Sequence, residues 1–153
     1  MAFHWARRSA HLLATTPPKS TEGAQPTGTP VDTEDIAGGG QKVYLPGIAH
    51  CGANFAVGDW VLTSTLDGAS VVGCLTAAFA IDDIGGETSG YFVEAQTWPA
   101  SILQRQDDHM LLAPLQSFTS GHTTTTFPIT TALKPVFVVQ FEGTDLLSFV
   151  EVP

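Results

Sequence analysis

From residue 42 onward, the sequence alternates between apolar and polar residues over short stretches that turn-forming residues separate. Because successive side chains of a strand point to opposite faces, this period of two predicts strands with one buried side. A hydrophobic content of 43% is sufficient for one core. Short strands joined by tight turns indicate an all-β barrel or sandwich, and of the two we expect a small, bent, SH3-like antiparallel barrel. The predicted strands are 42–45, 60–64, 70–81, 91–98, 110–115, 136–141 and 146–152, with a helical turn within 100–106 and an edge strand or extended loop within 117–127.

The longest of these stretches, 70–81, carries a second signal. Its odd positions hold the large side chains of Val71, Leu75 and Phe79, whereas its even positions are mostly small. This asymmetry predicts a long, bent strand with its bulky side inward. A glycine inside a strand often marks a β-bulge, so we expect one at Gly73.

The first 41 residues differ in composition from the rest. Prolines at positions 17, 18, 26 and 30 and glycines at 38–40 disfavour helices and central strands, so we expect residues 1–41 to form an extended arm or linker and residues 42–153 the β-domain. Arg7, Arg8 and Lys19 occur among the first 20 residues without an acid, which is typical of a mitochondrial transit peptide, a short docking helix or a plain basic tail. We expect an intracellular protein, nuclear or cytoplasmic, with the mitochondrion as the alternative.

The charge is concentrated in the predicted β-domain. The chain carries 6 basic and 15 acidic residues, and the first 42 residues sum to zero, so residues 43–153 hold 2 basic against 11 acidic residues, 2 − 11 = −9. A nucleic-acid partner would require clustered Lys and Arg, so this distribution excludes one. The apolar run 71–81 is shorter than the roughly 18 residues that span a bilayer, so we expect no membrane segment. An acidic domain suits a basic protein partner.

Residues capable of covalent or metal chemistry are few. Cys51 and Cys74 are too few for a disulfide framework or a metal quartet, and we expect two buried, reduced thiols. His50 lies beside Cys51, but neighbours on an extended segment point to opposite faces, so His50 is not expected to activate the thiol. The acid pairs 82–83 and 107–108 lie in predicted turns. We therefore expect no enzymatic activity, no cofactor and no metal site.

Four segments, in this order, resemble the bromo-adjacent homology (BAH) domain: FAVGDWVL at 55–62, VVGCLTAAF at 71–79, YFVEAQTW at 91–98 and FPITTALKPVFVV at 127–139. The resemblance covers about residues 50–141, and the Val-Gly-Asp opening also occurs in other SH3-like barrels. In physical terms, Gly58 permits a tight turn that Asp59 caps before the first barrel strand. The resemblance implies a bent barrel that acts as a non-catalytic protein-interaction module and in many members binds histone tails.

Some members of that family hold a methylated lysine in a cage of aromatic rings, where the cation lies over the ring faces. The resemblance implies that partner binding involves the rings of Trp60, Tyr91, Phe92 and Trp98, with Asp59 or Glu94 as the nearby anion. The chain departs from the family pattern at 96–99, where Gln-Thr-Trp-Pro replaces a tryptophan followed by aromatics and an Arg-Pro pair. Packing of these rings in the core or at its rim is the alternative.

Two functions remain open from the sequence. The first is a BAH-like module that binds a basic peptide or protein. The second is a structural subunit of a large assembly, such as a virion coat or decoration protein or an accessory subunit of an organellar complex, whose arm docks on neighbouring subunits or on further copies of the chain. In residues 109–141 Lys134 is the only charge, so we expect a partner surface along this span.

Overall fold

The computed structural model describes residues 23–151, and the elements in that range are β-strands and two short 3₁₀ helices. The prediction of an all-β, antiparallel fold is confirmed. In this part of the chain no helix is long and apolar enough to cross a bilayer. The strands are β1 Ala24–Pro26, β2 Asp32–Asp35, β3 Gln41–Leu45, β4 Gly47–His50, β5 Ala53–Ala56, β6 Trp60–Ser64, β7 Ser70–Asp82, β8 Thr88–Pro99, β9 Gln104–Arg105, β10 Met110–Pro114, β11 Thr123–Pro128, β12 Lys134–Gln140 and β13 Leu146–Glu151, and the 3₁₀ helices are Ala100–Ile102 and Leu115–Phe118.

The long hairpin of β7 and β8 organises the larger sheet. On its other edge, β7 pairs with β6 over residues 70–74 and with β3 over residues 78–82. The sheet runs in the order β11-β8-β7-β6-β12-β13-β10-β9, and β3 and β2 branch from β7. A second, three-stranded sheet has the order β1-β4-β5. The hairpin therefore holds together segments that are distant in the sequence.

The bulge in β7 lies at Thr76 and not at Gly73, where it was predicted. Leu75 pairs with Ala95 while Ala77 pairs with Glu94, so Thr76 is the extra residue. Gly73 stays in register, and a Cβ atom there would lie 3.3 Å from side-chain atoms of Ala95 on the neighbouring strand. The glycine thus permits close packing across the β7–β8 pair. In the sequence, a glycine needed for close packing cannot be distinguished from one that marks a bulge.

The predicted barrel is not closed within residues 23–151. There β11 pairs only with β8, and β9 pairs only with β10, so no ladder joins the two ends of the pairing path. The sheet also branches at β7, which exchanges β6 for β3 as its neighbour at the bulge. The sheet divides at this point, and β11 and β9 remain as separate edges.

Residues 23–41, predicted as part of the arm, contribute two short strands. β1 pairs with β4, and β2 pairs with β3, so the predicted boundary between residues 41 and 42 lies inside the β2–β3 hairpin. Pro26 is tolerated because β1 is the outer strand of its sheet, where a missing N–H disrupts little. The proposed transit peptide, docking helix or basic tail lies within residues 1–22, outside the described residues.

Two clusters of buried side chains form the interior. The first contains Ile48, Leu75, Val93, Phe127 and Leu133 among others. The second contains side chains from β10, β12 and β13 and includes Leu111, Val136, Leu147 and Phe149. Since side chains alternate along a strand, the residues between these point away from the second core.

Candidate functional site

Two of the predicted cage residues lie together at the second core: Trp98 is one of its buried members, and the partly buried Trp60 packs against it. The rings of Trp60 on β6 and Trp98 on β8 stack across β7, with centroids 5.7 Å apart and an interplanar angle of 21°. Phe118 meets both indoles edge-on, with centroid distances of 5.5 and 5.1 Å. Trp98 is 5% exposed, and its Nε1 donates a hydrogen bond to the carbonyl of Ser120 at 3.1 Å. These contacts make the tryptophan pair a packing cluster.

The other two predicted rings lie elsewhere. Phe92 stacks on Phe79 with a centroid distance of 5.5 Å, and Nζ of Lys42 lies 4.2 Å from the centre of the Phe79 ring. Trp98 is six residues further along β8, which corresponds to about 20 Å on an extended strand. Tyr91 packs against the first core. The four rings therefore do not converge on one cleft. The chain's own Lys42 lies over the face of Phe79, the ring on which Phe92 stacks.

The two predicted anions stabilise turns and irregular backbone. Oδ2 of Asp59 accepts a hydrogen bond from the N–H of Ala56 at 2.9 Å, which caps the turn at Gly58, where φ is 95°. This confirms the capping role expected for Asp59. Oε1 of Glu94 lies 3.3 Å from the hydroxyl of Thr76 at the bulge. Neither carboxylate is placed beside the tryptophan pair by these contacts.

Sequence reasoning missed two aromatic partners of the tryptophan cluster. Phe118 lies in a 3₁₀ helix, and Phe149 on β13 contacts Trp60 at 5.4 Å. Both are far from the tryptophans in the sequence, so only strand order brings them together. The segment 146–152 has no clear apolar alternation, so the sequence indicates neither the face on which Phe149 lies nor the ring that it meets.

His50 and Cys51 are closer together than strand alternation predicts. Sγ of Cys51 lies 3.5 Å from Nε2 of His50, because Cys51 leaves β4 in a turn with φ of 50°. The expectation that these side chains point apart is wrong. Cys74 is half-buried on β7, where burial and the charge of Asp59 raise the pKa of its thiol. In residues 23–151, no group of three or more His, Cys, Asp or Glu side chains is placed to hold a metal ion.

An apolar surface covers the side of β10, β13 and β12 that faces away from the second core; we call it the outer face. Its exposed large hydrophobic members are Val139 at 53%, Phe141 at 42%, Phe137 at 40% and Leu146 at 37%. In the middle lies Ser148, opposite Val139 on one side and Leu112 on the other. By strand alternation and register, the outer face comprises Met110, Leu112, Pro114, Phe137, Val139, Phe141, Leu146, Ser148 and Val150.

Ser148 is only 2% exposed, although it belongs to the outer face. Its hydroxyl oxygen has no hydrogen-bond partner within residues 23–151. Its neighbours on β10 and β12 are apolar, which explains why none of them offers a partner. The surface above this hydroxyl is therefore apolar.

Acidic residues lie at both ends of the outer face. Asp107 and Asp108 are in the turn between β9 and β10, and Glu142 and Asp145 are in the turn between β12 and β13. All four side chains are exposed. A ligand lying along the strands would have two carboxylates near each of its ends.

The two cations of this part of the sheet are bound to one carboxylate. Nη2 of Arg105 and Nζ of Lys134 each lie 2.8 Å from an oxygen of Glu151. Burial opposes ionisation of Glu151, but the hydrogen bonds from Lys134 and Arg105 outweigh it and hold the pKa of this carboxyl below its usual value. Because both cations are engaged, the charge that the outer face offers to a partner is acidic.

Comparison of the chain with protein-family models, with curated proteins and with solved structures found no match.

Proposed function

We propose that this protein is a non-catalytic protein-interaction module that binds a basic, amphipathic segment of a partner protein through the outer face. The observation that carries the proposal is the combination of exposed apolar side chains on β12 and β13 with carboxylates at both ends of the same face. Exposed, contiguous apolar surface typically marks an interaction site. It coincides in part with the span 109–141, which holds a single charge.

The dimensions of the outer face suit a helix. Three adjacent strands are spaced about 4.8 Å apart, so their outer members are separated by about 10 Å, which matches the diameter of an α-helix. Residues 137–141 extend over roughly 15 Å, or about ten residues of helix. A helix with an apolar stripe and Lys or Arg near its ends would contact Val139 and Leu146 and reach the carboxylates of both turns.

The charges contribute specificity and the apolar side chains contribute most of the affinity. Exposed ion pairs are each worth about 1 kcal/mol or less and weaken with salt. Complete burial of a Val or Leu side chain is worth about 1.5–3 kcal/mol. We therefore expect binding to persist in salt at reduced affinity and to disappear when the apolar side chains are replaced by acids.

A direct test uses a 14-residue amphipathic peptide of Leu and Lys with helical period as the probe, titrated at low and physiological salt. Val139→Asp should weaken its binding at least tenfold, because the substitution adds a carboxylate to the apolar contact and reduces the apolar area. Val57→Asp is the matched control, since Val57 is equally exposed at 53% but lies in the turn before β6. Absence of binding at low salt, or equal weakening by both substitutions, would overturn the proposal.

From the BAH-like resemblance this proposal keeps the protein-interaction function, including binding of basic histone tails, but not the aromatic cage. The separation of Phe92 from the Trp60–Trp98 pair supports binding that is indifferent to lysine methylation. Unmodified and lysine-trimethylated histone-tail peptides should bind with affinities that agree within about twofold. A clear preference for the trimethylated peptide would restore the cage hypothesis.

A subunit role in a larger assembly is the second candidate, and the same outer face supports it, because a neighbouring subunit could bury that face permanently. Sedimentation velocity distinguishes the two functions. A concentration-dependent oligomer that Val139→Asp dissociates would favour the assembly role. A monomer that binds the amphipathic peptide would favour the interaction module.

A further inference from the structure

A second exposed feature is independent of the outer face: the free edge of β11. In residues 23–151 this strand pairs only with β8, and it is six residues long. It carries four consecutive threonines and no charge. Edge strands are usually protected by charged side chains, bulges or covering segments, because their unpaired backbone groups can pair with another chain.

Another edge strand of the same sheet, β2, shows what such protection looks like. β2 also has only one neighbour, and its side chains include those of Asp32, Glu34 and Asp35, all exposed. The two edge strands therefore differ in their side chains: β2 presents a row of carboxylates, and β11 presents hydroxyl and methyl groups. The edge of β11 lacks the charge that would repel an added strand.

The hydrogen-bond register fixes which backbone groups of β11 face outward. The N–H of Ile129, just beyond the strand, donates to the carbonyl of Tyr91 on β8 at 2.9 Å. Hydrogen-bonded pairs of an antiparallel ladder recur at every second residue, so the odd-numbered residues of β11 bond with β8. The N–H and C=O groups of Thr124 and Thr126 therefore point away from the sheet. Pro128 has no N–H and ends the open edge.

A groove of about 670 Å³ runs beside this edge. One wall is formed by residues 125–128 of β11 and the other by the turn between β6 and β7, residues 64–67. Leu66, in that turn, is fully exposed, at 108% of its reference area. A strand added to β11 would place alternate side chains over this groove, within reach of the Leu66 side chain.

The one charged residue that lines the groove is acidic. Asp67 lines it, and hydrogen bonds from the Thr65 hydroxyl and the Ala69 N–H hold the pKa of its carboxyl below the usual value. Glu94 lies opposite Thr126 on β8 but is not among the residues that line the groove. The groove has no basic lining residue. Charge complementarity therefore selects a cationic ligand.

We propose that the edge of β11 is a strand-addition site, which takes an extended, basic peptide through the outward backbone groups of Thr124 and Thr126 and an apolar side chain in the adjacent groove. Backbone hydrogen bonds supply the pairing in this mode of recognition, and the alternate side chains supply specificity. The site is separate from the outer face of the proposed function, so the two can fail independently.

The test uses an octapeptide of alternating Lys and Val as the probe, with a version N-methylated at every residue as its control. Thr126→Pro removes the outward N–H and leaves the ladder with β8 intact, so it should weaken binding of the octapeptide at least tenfold. Thr126→Val keeps that N–H and should bind within about twofold of the natural chain. The N-methylated peptide, which has no N–H to donate from either edge, should bind at least tenfold more weakly than the unmethylated one.

Equal affinity of a folded Thr126→Pro variant and the natural chain would overturn the proposal, as would equal affinity of the two peptides or absence of octapeptide binding. If Thr126→Pro does not fold, the comparison of the two peptides with the natural chain decides. Val139→Asp should leave octapeptide binding within about twofold. This variant separates the two sites, since it is expected to affect the helical probe alone.

Discussion

Substitution of Trp98 tests whether the tryptophan pair belongs to the core or to a binding cleft. The side chain is 5% exposed, stacks on Trp60 and contacts Phe118 at 5.1 Å. Replacing a buried Trp by Ala typically costs about 3–5 kcal/mol, from lost burial and the cavity that remains. We expect Trp98→Ala to lower the free energy of unfolding by that amount.

Trp98→Phe separates the contributions. The substitution keeps a ring for the stack but removes the hydrogen bond from Nε1 to the Ser120 carbonyl, which is worth about 1 kcal/mol net. It also removes part of the buried ring area, so the expected loss is about 2 kcal/mol. Leu66→Ala is the control, because a fully exposed side chain should change stability by about 0.5 kcal/mol or less.

The assay is urea unfolding followed by far-ultraviolet circular dichroism, which does not depend on the substituted fluorophore. The order of stability should be natural chain, Trp98→Phe, Trp98→Ala, with Leu66→Ala close to the natural chain. A loss below about 1 kcal/mol for Trp98→Ala, together with loss of peptide binding, would refute the core assignment. It would then place Trp98 in a ligand-binding cleft.

Three further predictions concern single polar groups. Ser148→Ala removes a buried hydroxyl that has no partner in the described residues, so it should raise the free energy of unfolding by about 1 kcal/mol in urea unfolding. Thr63→Ala removes the hydrogen bond to the Ala132 carbonyl and should lower the free energy of unfolding. A change of the same sign for both substitutions would contradict the account. Because the pKa of Glu151 is lowered on folding, the ionised carboxylate contributes its full stabilisation above the unfolded value near 4.5 and loses it as pH falls through the folded value. The difference in stability between the natural chain and Glu151→Gln should therefore be constant near pH 7 and shrink below about pH 4.5. A difference that widens below that pH would contradict this prediction. The thiol of Cys74 should react with iodoacetamide at pH 8 more slowly than free cysteine, as measured by mass spectrometry, and an accelerated reaction would contradict the raised pKa.

The strands that the sequence predicted well are those with a clear alternation between two turns. Residues 60–64 were predicted and form β6, and 110–115 were predicted where β10 covers Met110–Pro114. Of the predicted edge strand or loop at 117–127, residues 123–127 belong to β11, which is an edge strand, whereas residues 117 and 118 end a 3₁₀ helix. In each of these segments, local periodicity and turn residues point to the same structure, so little depends on distant contacts.

The strands before β6 were harder to predict. β1, β2, β4 and β5 have only three or four residues each, too few to display a period of two. Their existence depends on partners: β1 needs β4, and β2 needs β3. For β1 and β2, composition favoured a linker over residues 1–41, because proline and glycine are common both in linkers and in short outer strands.

The candidate sites divide in the same way. An uncharged partner surface within 109–141 was predicted from charge alone, and both the outer face and the β11 edge include residues from this span. The outer face also includes Leu146 and Ser148 of β13, and the position of β13 between β10 and β12 follows from strand order, which the sequence does not show. The aromatic residues of the expected cage were identified one by one, but Phe92 and Trp98 lie six residues apart on β8, about 20 Å on an extended strand, a separation that the predicted strand 91–98 already implied.

The most direct test of the proposed function is a map of backbone amide chemical shifts during titration with the Leu-Lys amphipathic peptide. The account predicts saturable shifts centred on β12 and β13, around Val139 and Leu146, and their loss in Val139→Asp but not in Val57→Asp. Shifts centred on Trp60 and Trp98, or no saturable shift at low salt, would contradict it.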